Sequence, residues 1–134
     1  MARLTSTVAS RAGARASTAL IFDTNASSRE SLCKLLGECQ IRTIGVSDSI
    51  AAREALRSEA IDILICEDLG GLLGIEMLEM CAALFPNVRR VYLARTASSE
   101  LHAEAIARGH VHASVVDAMN PIEMRDTIAR LVRP

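Results

Sequence analysis

The residues best equipped for chemistry are four acids, Asp23, Glu67, Asp68 and Asp117, each at or just after the end of a short apolar run. Carboxylate oxygens gathered at one place hold a hard divalent cation. The plainer use of such acids is capping, in which they accept N–H groups of the loop that follows. Gly70-Gly71-Leu72-Leu73-Gly74 lies between an apolar run and a helical pattern, where a glycine-rich turn brings phosphate to a helix N-terminus. It lacks the Lys-Ser/Thr pair of a nucleotide loop and the spacing of a dinucleotide fingerprint, so it reads as a turn with positive φ. Cys66 closes the run Ile63-Leu64-Ile65 and reads as a small buried hydrophobe; a nucleophilic or redox role requires a base beside it. His102, His110 and His112 have no sequence-evident Ser or Cys partner, and Glu76, Glu79, Arg125 and Arg130 fall on polar helix faces.

The elements between these residues must position them. From Thr18 onward, short apolar runs alternate with stretches whose apolar residues stand three and four apart. Ala19–Phe22, Arg42–Val46, Ile63–Cys66, Arg90–Leu93 and Val111–Val116 have the length of strands. Leu32, Leu35 and Leu36; Ile50 with Leu56; Ile75, Leu78 and Ala82; Leu101 with Ala105; and Met124, Ile128 and Leu131 mark five helix faces. Strand-then-helix repetition predicts an α/β domain, a five-stranded parallel, doubly wound sheet of the flavodoxin-like kind with five helices on its two faces. Asn120-Pro121-Ile122-Glu123 reads as a helix start, and Pro86 as a stop after Phe85. Ligands of such sheets gather outside the carboxyl ends of the strands. That end collects Asp23, Thr24 and Asn25; Cys66, Glu67 and Asp68; Ala94 to Thr96; and Asp117.

Composition excludes several function classes. The chain has 134 residues, enough for one core without disulfides or metal. Phe22, Phe85 and Tyr92 are its only aromatics, too few to stack on bases. Fifteen basic residues against sixteen acidic ones lack the excess that a phosphate-backbone reader needs, so nucleic acid is not the expected partner. Cys33, Cys39, Cys66 and Cys81 form no Cys-x-x-Cys pair, which fits reduced thiols in the cytoplasm. No apolar run approaches the ~20 residues of a membrane span. Residues 1–17 are rich in Ser, Thr and Ala, with Arg3, Arg11 and Arg15 and no acid; they read as a disordered tail preceding a domain over 18–134. An organellar presequence has the same Arg-rich, acid-poor look.

Over residues 18–134 the chain resembles the response-regulator receiver (CheY-like) domain of bacterial two-component signalling. Leu20-Ile21-Phe22-Asp23-Thr24 is similar to its first strand and acidic turn, with Arg29 placed as in its first helix. Asp62-Ile63-Leu64-Ile65-Cys66-Glu67 is similar to the third strand with its acceptor, and Gly74-Ile75-Glu76-Met77-Leu78 to the following helix. Phe85-Pro86, Val88-Arg89-Arg90-Val91, Gly109 and Pro121 also sit in family-like places.

Receivers phosphorylate an aspartate after the third strand, with Mg²⁺ on an acidic pair after the first, a Thr or Ser after the fourth and a Lys after the fifth. Here the resemblance implies a degenerate pocket. The pair is Asp23-Thr24; counting from Asp62 puts Glu67 at the acceptor, whereas counting back from Gly74 puts Cys66 there. Ala94 falls at the hydroxyl, Asp117 at the lysine and Ser114 at the switch aromatic. Lys34 is the only lysine and lies in the first helical pattern, so none reaches the fifth strand. A carboxylate in its place repels an acyl phosphate by about 3 kcal/mol at ~5 Å and an effective dielectric of ~20. The implied protein is a pseudo-receiver: a cytoplasmic, phosphorylation-independent interaction module in bacterial signalling or localisation, with no cofactor, no metal and no enzymatic activity. Its expected partner is another signalling or scaffold protein, or a second copy of itself, with no role for nucleic acid or membrane. By the same resemblance Glu100, His102, Arg108, His112, Arg125 and Arg130 form one candidate partner surface, and Arg29, Glu30 and Lys34 another. The alternatives are a receiver phosphorylated on Glu67 or Asp68 and a redox switch through Cys66.

Overall fold

Strands β1 (Thr18–Phe22), β2 (Arg42–Val46), β3 (Ile63–Glu67), β4 (Arg89–Ala94) and β5 (Ala113–Val116) alternate with helices α1 (Ala26–Glu38), α2 (Ser49–Ser58), α3 (Leu72–Leu84), α4 (Glu100–Gly109) and α5 (Pro121–Val132). The computed structural model describes residues 17–67, 72–94, 100–109, 111–116 and 121–132. The tail up to residue 16, together with Asp68, Gly70, Gly71, His110, Asp117 and Asn120, lies outside the described residues. All strand pairs are parallel, in the order β2-β1-β3-β4-β5. The expected five-stranded, doubly wound sheet with five helices is thus the observed one.

β1 and β3 are buried at every position, as strands covered on both faces must be. Side-chain alternation divides the core in two. Leu20, Phe22, Leu64, Cys66 and Tyr92 pack with Ala52, Ala55 and Leu56 of α2, Ile75, Leu78 and Cys81 of α3, and Ala105 of α4. Ala19, Ile21, Ile63, Ile65, Val91 and Leu93 face Leu32 and Leu36 of α1 and Met124 and Ile128 of α5. Local chemistry starts the helices: Asn25 accepts the Ser28 N–H at 2.8 Å to cap α1, and Asp48 accepts that of Ala51 at 2.8 Å to cap α2.

Three details depart from the sequence reading. Ile50, assigned there to the buried face of α2, is 81% exposed. At 3.6 residues per turn it stands about 200° round the helix from Ala52, and Ala52, Ala55 and Leu56 carry the burial instead. β3 and β4 run slightly longer than the apolar runs suggested, taking in Glu67 and both Arg89 and Ala94. β5 begins at Ala113 instead of Val111 because a side chain replaces a carbonyl there. The Arg90 N–H donates to Nδ1 of His112 at 2.9 Å, while the His112 N–H donates to the Arg90 carbonyl at 2.8 Å. No described helix is long and apolar enough to cross a membrane.

Candidate functional site

Register decides which side chains meet at the carboxyl end of the sheet. Phe22 pairs with Cys66, Glu67 with Leu93, and Ala94 with Val116. Asp23, the residue after Phe22, therefore stands level with Glu67, and Ala94 ends β4 one residue further on. Glu67 continues the Ile63–Ile65 side of β3, toward α1 and α5, whereas Cys66 shares the opposite side with Leu64. Cys66 is fully buried where Gly74 brings α3 close; a Cβ on Gly74 would lie 3.4 Å from that of Cys66. Burial, with smaller repulsions from Cys81 and Glu67, pushes the Cys66 thiol well above its ordinary pKa, so it stays protonated. A protonated, enclosed thiol is a poor nucleophile and a poor redox sensor.

Asp23 is 3% exposed and its carboxylate is committed to the β1–α1 turn. Oδ1 accepts the Asn25 N–H at 2.9 Å, and Oδ2 accepts the Ser28 hydroxyl at 2.5 Å. Arg29 donates from Nη1 to the Asp23 carbonyl at 2.8 Å. Its stem crosses Gly45 of β2, where an added Cβ would stand 3.1 Å from Arg29 Cγ and 3.3 Å from Cys33 Sγ. Any larger residue there would have to push the Arg29 stem and Cys33 aside by a few tenths of an ångström. Neither Ser28 nor Gly45 was singled out in the sequence. The hydroxyl five residues after an acid was the available signal for the first; the second requires knowing that α1 lies over β2.

Thr24 is exposed, Glu67 is 8% exposed, and Ala94 is fully buried without a hydroxyl. Both oxygens of Asp23 are engaged by the turn, its neighbour offers only a threonine, and among the described residues no three His, Cys, Asp or Glu side chains converge. Lys34, the ninth residue of α1, is exposed and about 12 Å along the helix from its start. Ser114, in β5, is half-buried, and its Oγ has no hydrogen-bond partner among the described residues. Asp68 and Asp117 lie outside the described residues.

The candidate partner surface is not uniformly free. Arg108 bridges Glu79 of α3 at 3.0 Å and Glu104 of its own helix at 3.3 Å, so it ties α3 to α4. The ring of His112 is held by β4 as described above. Glu100, Arg125 and Arg130 are exposed, His102 is half-buried, and Arg125 lies 3.7 Å from Asp126. Arg130 also borders an open groove of about 730 Å³ between β5 and α5, with Ser114, Asp126 and Thr127. Glu30 and Lys34 project from α1 into solvent.

A parallel β2-β1-β3-β4-β5 sheet with α1 and α5 on one face and α2, α3 and α4 on the other is the flavodoxin-like, doubly wound fold to which receiver domains belong. Solved structures agree. The chain is similar to the signal receiver domain of an HD-domain-containing protein from Pseudomonas fluorescens, with a TM-score of 0.79 and 20% identity over 88% of this chain and 95% of that one. It is also similar to a response regulator from Thermotoga maritima, with a TM-score of 0.77 and 14% identity over 88% and 98% of the two chains. A chemotaxis response regulator of Vibrio cholerae gives a TM-score of 0.76 and 18% identity over 88% and 100%. No family model and no curated protein sequence matches the chain.

Proposed function

We propose that the chain is a pseudo-receiver, a bacterial signalling or localisation module that binds another protein without a phosphorylation cycle and catalyses no reaction of its own. One observation carries this reading: the only lysine, Lys34, lies exposed along α1, away from the carboxyl end of the sheet. No lysine is left to grip a phosphoryl oxygen after β5. Support comes from Ala94, which ends β4 without a hydroxyl, and from Asp23, whose carboxylate caps a turn. Glu67, level with Asp23, takes the acceptor position in this reading, and Cys66 does not. The partner is another signalling or scaffold protein in the cytoplasm.

The alternative is phosphorylation of Glu67 or Asp68, and the position of Glu67 at the strand end favours it. Acetyl phosphate with Mg²⁺ followed by intact mass separates the two. The pseudo-receiver keeps its mass, whereas a stoichiometric phosphoryl adduct mapped to Glu67 or Asp68 establishes the alternative.

A further inference from the structure

Helix α3 is apolar on more sides than the sheet covers. Glu76 and Glu79 are its only charged residues, and apart from Gly74 the rest are Leu, Ile, Met, Cys and Ala. Gly74, Ile75, Met77, Leu78 and Cys81 are buried. Leu73 and Leu84, by contrast, are 53% and 66% exposed, and Met80 is half-buried. A helix packed on one side of a sheet ordinarily turns polar residues outward, as α5 does with Glu123, Arg125, Asp126 and Arg130. The outer side of α3 does not follow that pattern.

Spacing gathers its apolar residues into one stripe. At 3.6 residues per turn, Leu73, Met77, Met80 and Leu84 fall within about 60° of one another round the helix. Met77, 2% exposed, is the floor of the stripe, and Leu73, Met80 and Leu84 are its open part. Glu79 stands about 100° from the nearest of them and is turned to Arg108 of α4 at 3.0 Å, so the stripe lies on the flank of α3 away from α4. Among the described residues α3 packs along α4 and scarcely meets α2, which leaves that flank open. The steps of four, three and four residues are those of a coiled-coil seam, a surface shaped for another helix.

The order of the four side chains selects which helix. Leu, Met, Met, Leu at steps of four, three and four reads the same in both directions, as a two-fold contact between identical surfaces requires. We propose that the chain pairs with a second copy of itself through α3, the two helices lying antiparallel about a two-fold axis level with the Leu78–Glu79 bond. Leu73 then meets Leu84 of the second copy, and Met77 meets its Met80. A parallel pair brings the exposed Glu76 of each copy together, whereas the antiparallel pair sets them ~7.5 Å apart along the helix axis. Anionic membrane and nucleic acid are poor covers for this stripe, because α3 carries acids and no Lys or Arg. One helix of this length buries less than the ~800 Å² per partner of a standard interface, so the pair is weak and reversible. The proposal goes beyond the pseudo-receiver reading and does not depend on it; α1 and the surface of α4, β5 and α5 stay free for a different partner.

The test is sedimentation velocity of the full chain over a rising concentration series, in which monomer is expected to pass reversibly into dimer. Leu73→Asp and, independently, Leu84→Asp should weaken dimerisation by at least roughly tenfold, while Ile106→Asp on α4 and Ile122→Asp on α5 dimerise as the unaltered chain does. All four side chains are exposed, so these variants leave the core intact. Charge complementation reads the antiparallel geometry. Leu73→Lys and Leu84→Glu chains should each dimerise poorly alone and regain dimer when mixed, because position 73 of one copy meets position 84 of the other. A chain still monomeric at about 1 mM, a dimer indifferent to Leu73→Asp and Leu84→Asp, a dimer lost in Ile106→Asp or Ile122→Asp, or a mixture no stronger than its two components would each overturn the proposal.

Discussion

Asp23 illustrates how a buried acid at a strand end can be spent on the turn that follows it. Its oxygens accept from the Asn25 N–H and the Ser28 hydroxyl, and the residue fastens β1 to the start of α1. Asp23→Ala leaves a partly buried N–H and a partly buried hydroxyl without an acceptor and should lower unfolding stability by about 1–2 kcal/mol, with Ser28→Ala nearer 1 kcal/mol, both measured by urea titration. Equal stability of Asp23→Ala and the unaltered chain would show that the turn holds without the carboxylate. Cysteine reactivity gives a second outcome at this scale. Cys66 is enclosed, and burial lifts the Cys81 thiol to about 11 despite an opposing pull from Arg90. Alkylation of the native chain followed by mass mapping should label Cys33 and Cys39 first and leave Cys66 and Cys81 unlabelled until the protein unfolds. Early labelling of Cys66 would reopen the redox reading. Counting along the sequence left Cys66 and Glu67 open because forward and backward counts differ by one residue. Pairing of Phe22 with Cys66 is a tertiary fact, and it is what aligns Glu67 with Asp23.

Elements were the most legible level of the sequence, since strand-length apolar runs and three-and-four spacing report backbone periodicity directly. What escaped were places where one element borrows from another. The start of β5 is set by the His112 ring standing in for a carbonyl opposite Arg90, which no periodicity encodes. Partial burial first, and the charges of Arg90 and Arg89 next, hold the His112 pKa below the ordinary 6.5. The unfolded chain therefore takes up this proton more readily than the folded one. The stability contributed is whole above about pH 6.5 and is lost as pH falls below it toward the lowered folded value. His112→Asn keeps an acceptor that does not titrate, so its stability should fall less than that of the unaltered chain between neutral and mildly acidic pH. Identical pH dependence of the two proteins would contradict this role. Gly45 makes a similar loan from β2 to α1. Gly45→Val drives a side chain into the Arg29 stem and should cost about 1–3 kcal/mol while loosening the Arg29 bond to the Asp23 carbonyl, visible as faster exchange of the amides at the start of α1.

At the scale of the whole molecule, the departures that argue against a phosphorylation cycle, a single distant lysine, Ala94 and Thr24, were readable as residue identities before any fold was known. The exposure of Ile50 was not, because it matches a core spacing and only packing reveals that α2 buries its alanines and Leu56 instead. A receiver switches because a phosphoryl group contacts one of its two states better than the other, and a ligand shifts an equilibrium only by that difference. Ala94 offers no hydroxyl to make such a contact, and no lysine stands near it. The most direct measurement is amide hydrogen exchange of the full chain with and without beryllofluoride and Mg²⁺, read over β4, α4 and β5. The pseudo-receiver predicts unchanged protection in all three elements. A change of tenfold or more in α4 or β5, equivalent to about 1.4 kcal/mol, would mean that the phosphoryl mimic is gripped and that the chain is a switch after all.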